Sequence, residues 1–411
     1  MFKDKKVFLL VLVAALGYFV DIYDLLLFSI VRKASLISLN VPAEELLNTG
    51  AFLLNMQMGG MLIGGLLWGI LGDKKGRVSV LFGSIIMYSL ANIANGFVND
   101  VPTYAALRFI AGIGLAGELG AGITLVSEVM SKESRGYGTM VVATIGVLGA
   151  VAANLIGQLT DWRQSYFIGG GLGLLILVLR FGVFESGMYK NIEKEKIDKG
   201  TFLKILTNKN LLFTYINCIL IGLPLWYVVG ILITFSPEFG KEFGLGSSIA
   251  AGKSVMYTYI GLAIGDFLSG WLSQKFRSRK KVIFGFLIGV LVTIIIYLFF
   301  NQYSADFFYF VCLLMGIAVG YWALFVTNAS EQFGTNIRST VTTTVPNFVR
   351  GSVIPLTISF QFISTINISG KNIGIIYSAL VLGIITIVIS FLSLRKLKET
   401  FGKDLNYTDI F

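Results

Sequence analysis

Six ionisable side chains stand inside stretches that are otherwise apolar: Asp21, Asp24, Arg108, Glu118, Asp266 and Arg350. An ionised group at bilayer depth costs about 3 kcal/mol on insertion scales, so each is expected to face a cavity or a partner. Asp21 and Asp24 lie three residues apart and so occupy neighbouring positions on one helical face. Two close carboxylates cannot both ionise cheaply in a low dielectric, so one is expected to hold a proton while Arg108 keeps the other charged. That is the chemistry of a proton carrier. With no histidine in the chain, proton transfer has to run on Asp, Glu, Tyr or Lys. The alternative is a static ion pair that only joins two spans.

Glu118 stands among Gly112, Gly114, Gly117, Gly120 and Gly122, whose spacing suits close helix approach. It is open to three readings: a second proton site, a contact for a substrate amine, or a structural hydrogen bond. Arg350 offers a fixed fork of donors for a carboxylate or phosphate, which points to an anionic or zwitterionic solute. The other reading of Arg350 is pairing with Asp266 or with a backbone carbonyl. Aromatic residues that could complete an apolar pocket with few polar groups are Tyr23, Trp226, Tyr227, Tyr257, Tyr259, Tyr321 and Trp322. For any single one of them, packing against lipid or a neighbouring helix is the alternative. Gly222 and Pro224 suggest a flexible span seven that acts as a gate.

These groups need elements to hold them at depth. Hydrophobic residues make up 55% of the 411 and charged residues 14%, against roughly 25% charged in a soluble domain. Runs of about 20 apolar residues are the length that crosses a bilayer as a helix. Twelve occur, near residues 7–31, 50–71, 78–98, 104–130, 139–159, 165–183, 211–235, 253–273, 282–301, 306–330, 340–365 and 373–394. The first lacks a small-residue cleavage site and reads as a retained span. Of the 33 lysines and arginines, 24 fall in loops on the side of both termini and 6 on the other, while Arg108, Arg180 and Arg350 lie within spans. The positive-inside rule then places both termini in the cytoplasm, and the net charge of +10 requires no nucleic-acid partner.

The longest polar stretch, from Glu185 to Asn210, includes Lys190-Asn-Ile-Glu-Lys-Glu-Lys-Ile-Asp-Lys199 and divides the chain into near-equal halves. Ser127-Glu128 with Arg135 recurs as Ser330-Glu331 with Arg338, 203 residues later, and Gly69 recurs as Gly270 at an offset of 201. Parallel six-helix repeats with a central solute site are a transporter arrangement in which one half rocks against the other. Cys218 and Cys312 both fall inside spans and suggest neither a disulfide nor a metal site. No glycine loop followed by Lys-Ser or Lys-Thr is present, so energy from ATP, and enzymatic activity generally, are not expected.

The segment Gly69-Ile-Leu-Gly-Asp73-Lys-Lys-Gly-Arg77 resembles the signature loop of the major facilitator superfamily. Asp73 would act there as a latch, pairing with a basic residue or a helix N-terminus in one conformation and releasing it in the other. Gln274 stands at the aspartate position of the second half, which weakens an equivalent latch. Gly17-Tyr-Phe-Val-Asp21-Ile-Tyr-Asp24-Leu, Arg108-Phe-Ile-Ala-Gly-Ile-Gly-Leu-Ala-Gly-Glu118, Glu185-Ser, Lys398-Glu399-Thr-Phe-Gly-Lys403 and Arg350-Gly-Ser-Val-Ile-Pro355 resemble the branch holding sugar porters, phosphate, aromatic-acid and metabolite:proton symporters, and organic-ion transporters. The resemblance implies that spans one, four, seven and ten line a central path. Glu128 with Arg135 and Glu331 with Arg338, at the cytoplasmic ends, read as gating pairs with the nearby basic loops, together with Asp73 and Arg77.

The expected fold is an all-α membrane protein of twelve transmembrane helices in two six-helix pseudo-symmetric bundles. Residues 1–184 form the first bundle, 185–210 a cytoplasmic linker, 211–394 the second bundle and 395–411 a cytoplasmic tail. The expected activity is proton-coupled uptake of a small anionic or zwitterionic metabolite by alternating access. Asp21, Asp24, Arg108 and Glu118 would handle the proton; Arg350, Asp266, Tyr23, Trp226, Tyr227, Tyr257, Tyr321 and Trp322 would bind the solute. Proton-driven efflux of drugs or organic ions, and phosphate or sugar symport, are the alternatives. The expected setting is a monomer in a bacterial inner membrane, with the bilayer, a small solute and protons as partners and no cofactor or metal.

Overall fold

The computed structural model describes residues 5–42, 45–131, 134–180, 202–301, 303–368 and 371–408. Most of the expected linker, including Glu185-Ser, lies outside the described residues. Every expected span is helical. Spans one, two and three are the continuous helices Lys5–Ser38, Leu46–Lys75 and Arg77–Asn95, and span six is Trp162–Leu179. Spans eight, nine and twelve are likewise continuous, at Ala251–Lys275, Arg279–Phe299 and Gly374–Lys396.

The other five spans are broken. Span four runs as Val101–Leu115 and Glu118–Val129, span five as Arg135–Val147 and Gly149–Leu159, and span ten as Ala305–Val319 and Trp322–Gln332. Span eleven is Arg338–Gly351 followed by Val353–Thr365, and span seven is Lys209–Leu220, Leu223–Tyr227 and a π-helical turn Val228–Ile233. A broken helix frees backbone groups that must find partners inside the protein, because lipid supplies none. Four of the five breaks fall within the apolar runs where Glu118, Pro224, Tyr321 and Arg350 had drawn attention.

Ten of the twelve spans are long and apolar enough to cross a bilayer by length and composition among the described residues. Spans eight and eleven are not, and the reason is visible in their burial. Ser254, Thr258, Asp266, Ser269 and Ser273 of span eight are all buried, as are Thr340 to Thr344, Asn347 and Arg350 of span eleven. These helices show polar side chains to other helices, not to lipid. Thr342 and Thr344 return their hydroxyls to the carbonyls of Arg338 and Thr340 at 2.8 and 2.7 Å, which removes the cost of an unmade hydrogen bond.

The repeat is also a packing repeat. Spans two and four touch through Gly60 and Gly64, where a β-carbon would collide with the backbone of Phe109 and Ile113. Spans eight and ten touch in the same way through Gly261 and Gly265 against Leu313 and Ile317. Glycine lets the two backbones approach closely, which substitutes for the hydrophobic driving force that is missing in lipid. Large apolar side chains such as Leu90, Leu159, Phe284 and Phe362 point outward, as a lipid-facing surface requires. A two-residue hairpin, Asn367–Ile368 with Lys371–Asn372, joins spans eleven and twelve.

Candidate functional site

Between the halves lies a narrow cavity bounded by Tyr18 of span one, Trp226 of span seven, Tyr259 of span eight, Trp322 of span ten and Arg350 of span eleven. Its free volume is about 10 Å³, room for roughly one water. Arg350 is 1% exposed. Its guanidinium carbon lies 5.9 Å from the Trp226 ring centroid and 5.6 Å from that of Trp322, so two aromatic faces stabilise the charge. Nη1 donates to Asn347 Oδ1 at 3.3 Å, and Nε has no hydrogen-bond partner. Buried guanidinium donors without acceptors are costly, and a carboxylate in this cavity would satisfy them through paired N–H donors. Trp322 Nε1 donates to Tyr18 Oη at 3.0 Å, closing one wall across the interface of the halves.

Asp21 is 0% exposed, and neither of its carboxylate oxygens has a hydrogen-bond partner. The cation whose charge acts most strongly on it is Arg350, not Arg108. Asp24 is equally buried and unbonded; Asn92 faces it without closing a hydrogen bond, and Arg108 acts on it through charge alone. Arg108 gives its donors to Gln57 Oε1 and to Tyr166 Oη, the latter at 3.4 Å, and sits 4.8 Å from the Phe28 ring centroid. The expected partnership, in which Arg108 keeps one of the two carboxylates charged, is therefore not an ion pair in this conformation.

Glu118 is held by Arg180, which also donates to the carbonyl of Leu81. Gly17 leaves the space for this pair, since a β-carbon there would overlap both side chains. Arg180 was visible in the sequence as a charge at the end of an apolar run, yet nothing in its spacing names Glu118.

Asp266 does not pair with Arg350. Its Oδ1 accepts from the backbone N–H of Ala323 at 2.9 Å, so it caps the second helix of span ten at the Gly320–Tyr321 break, where a free N–H would otherwise be buried. Tyr321 donates its hydroxyl to the carbonyl of Ile221 at 2.9 Å, at the break in span seven. Tyr227 donates to Ala379 O at 2.5 Å and Tyr23 to Ser165 O at 2.9 Å. Tyr257 stacks on Tyr309 with centroids 5.5 Å apart. None of these five bounds the central cavity. A buried phenol has to find an acceptor, and Tyr321, Tyr227 and Tyr23 each find a backbone carbonyl, that of Ile221 lying at a helix break.

On the face that carries the basic loops, Asp73 accepts from the N–H groups of Ser339 and Thr340 at 3.0 and 2.8 Å. It thus caps span eleven of the opposite half and also lies 3.5 Å from Arg77. At the corresponding place in the repeat, Gln274 packs against Gly136 of span five with its Nε2 unpartnered. Glu128 accepts from Arg77 at 2.9 Å and from Arg338 at 3.1 Å. Glu331 accepts from Arg279 at 3.0 Å and from Arg135 at 2.8 Å. Each glutamate therefore holds one arginine of its own half and one of the other. The pairs are crossed, Glu128 with Arg338 and Glu331 with Arg135, and the neighbours in sequence do not pair. Arg279 was missed as a site residue, although it stands 202 positions after Arg77.

The tail closes over these pairs. Lys403 O accepts from Arg135 at 2.9 Å, Leu405 O accepts from Arg338 at 2.7 Å, and Tyr407 O accepts from Thr335 N at 2.8 Å. Glu399 anchors the tail. Burial pushes its carboxyl up, but the Ser278 hydroxyl and the N–H groups of Arg279, Phe401 and Lys280 outweigh that and hold it below the ordinary glutamate value.

The family model described as Major Facilitator Superfamily matches residues 7–366. The chain is 26% identical over 347 residues to a putative niacin/nicotinamide transporter, NiaP, of Bacillus subtilis, covering 82% of this chain and 84% of that one. It is 26% identical over 381 residues to the cis,cis-muconate transport protein of Acinetobacter baylyi, covering 89% and 88%. In three dimensions it resembles the proton:xylose symporter XylE bound to 6-bromo-6-deoxy-D-glucose, with a TM-score of 0.78, 16% identity and 98% of each chain covered. That likeness is one of fold.

Proposed function

The chain belongs to the Major Facilitator Superfamily and is a multi-pass membrane transporter, not an enzyme; from that premise we propose that it carries a small organic anion together with a proton, by alternating access. The observation that carries this reading is Arg350, buried between Trp226 and Trp322 with its Nε unpartnered and its charge acting on an Asp21 that has no hydrogen bond. A solute carboxylate at Arg350 competes with Asp21 for one positive charge. Two anions and one cation leave a negative charge uncompensated in low dielectric, and a proton on Asp21 removes it. Anion binding and proton binding then favour each other reciprocally. Asp24 is the second carboxylate of the relay, with Arg108 beside it, while Glu118, tied to Arg180, holds spans four and six together. The relatives named for niacin and cis,cis-muconate support an unsaturated or aromatic acid as the solute.

In this reading both termini are cytoplasmic, in a bacterial inner membrane, and the bundles of residues 1–184 and 211–394 rock as bodies of one monomeric chain. Asp73, Arg77, Glu128, Arg135, Glu331 and Arg338, with Arg279, form the inner gate, closed in the conformation described, and the tail from residue 395 seals it. Uptake of radiolabelled nicotinate and cis,cis-muconate into proteoliposomes, with and without an inward proton gradient, tests the proposal. Accumulation of either acid that depends on the gradient is expected. Gradient-driven extrusion of lipophilic cations with no acid uptake would replace it with the efflux reading.

A further inference from the structure

A second, larger cavity lies outward of the central one, between spans one, two, seven, eight and eleven, with a free volume of about 40 Å³ against about 10 Å³ for the central one. Its walls are mainly apolar, with Phe28, Met58, Val255 and Val353 among them, and its polar groups are Ser29, Arg32 and Thr234. That is the make-up of a small-molecule site: a concave apolar surface with a few placed polar groups. Ser29 and Arg32 are three apart on span one and so share a face. Among the described residues the Arg32 side chain makes no hydrogen bond or ion pair, and the charge that acts on it is Glu238, beyond ion-pair distance. Trp226 borders both cavities, and its indole N–H is buried without a partner. One tryptophan is thus the partition between an outer space holding Arg32 and an inner space holding Arg350.

We propose that the outer cavity is a separate capture site for an organic carboxylate with a flat apolar body, in which Arg32 takes the carboxylate, the apolar walls take the body, and Trp226 is the partition to the Arg350 site. The proposal rests on the organic-anion reading of the central site and adds a second binding step to it. An anion would pass from one guanidinium to the other across Trp226, whose free N–H is the donor available between them. A cation or a sugar would find in the outer cavity only a repelling charge or too few acceptors.

The test uses the full-length protein carrying Ser29→Cys; the native Cys218 and Cys312 are buried and serve as the unreactive background. Modification by the anionic 2-sulfonatoethyl methanethiosulfonate is expected to be faster, relative to the trimethylammonium reagent, than in the same protein with Arg32→Gln, by about fivefold for one nearby charge. An unchanged ratio overturns the proposal. Millimolar nicotinate or cis,cis-muconate is expected to slow the modification of Ser29→Cys alone and of Ser29→Cys with Arg350→Gln, but not of Ser29→Cys with Arg32→Gln. Protection that disappears with Arg350→Gln makes the cavity a mere approach to the inner site and overturns the proposal, as does a lack of protection by both acids in every variant. Uptake by the unsubstituted protein still decides the central-site reading independently.

Discussion

Arg350 lies among aromatic rings with one donor given to Asn347 and Nε without an acceptor, a state that a carboxylate completes. Lysine would keep the charge and lose the fork, so Arg350→Lys is expected to raise the apparent KM for the transported acid by about tenfold with the maximal rate little changed, as initial uptake rates would show. Asp21→Asn fixes the neutral form of the carboxylate: uptake driven by a proton gradient should fall to background while exchange of labelled for unlabelled acid persists. Accumulation against a gradient by that variant would remove Asp21 from the coupling. Asp266 separates two roles that the sequence could not. As a cap on the Ala323 N–H, Asp266→Ala should cost about 1 kcal/mol of stability, read as a lowered unfolding temperature, and leave KM unchanged; a solute ligand would show the reverse pattern.

At the scale of elements, the same physics recurs wherever a helix is interrupted. The free N–H groups of span ten go to Asp266, the carbonyl of Ile221 in span seven goes to Tyr321, and the carbonyl of Ala116 in span four takes Asn347 Nδ2 at 2.9 Å. That last bond crosses the interface and links Arg350, through Asn347, to the break in span four of the other half. Removing one member of a buried ion pair costs about 3 kcal/mol, enough to shift a two-state equilibrium by about a hundredfold. Glu331→Gln leaves Arg135 and Arg279 facing each other, so it should populate the inward-open state. A cysteine at Thr327, which bonds Thr139 across the interface at 3.1 Å, should then react with a soluble thiol reagent far faster; equal rates would deny Glu331 its gate role. The tail anchor titrates. Because the carboxyl of Glu399 is held below its ordinary value of 4.5, its contribution is present above that value and disappears as pH falls through the lowered one. Protease nicking of residues 398–408 is therefore expected to rise on acidification below the ordinary glutamate value and to be insensitive to pH near neutrality.

At the scale of the whole molecule, the two halves share a scaffold and differ in chemistry. The glycine contacts of spans two and four return in spans eight and ten, and the crossed Glu–Arg pairs return across the interface. Asp21, Asp24 and the Glu118–Arg180 pair belong to the first half, and Arg350 and Asp266 to the second. The central cavity is built where these unlike faces meet. The Glu–Arg cluster is bonded on one side and the larger cavity lies on the other, which is the arrangement the proposed alternating access requires of one of its states.

Span number and position were legible in the sequence because bilayer thickness alone sets the length of an apolar run, with no reference to any partner. The repeat was legible for a related reason: Glu128 and Glu331 stand at one offset whatever they touch. Arg350, Trp226 and Trp322 were likewise marked by type and depth. The charge that Arg350 exerts on Asp21 was not, and neither was the pairing of Glu118 with Arg180, the crossed partnership of Glu128 and Glu331, or the role of Asp266 as a cap. Each of those depends on which side chains the packing of helices brings near one another, for Asp21 and Arg350 across 329 positions of the chain. Spacing along one helix fixes a face but not its neighbour, so a buried charge is announced by the sequence and its partner is chosen only by the packed fold.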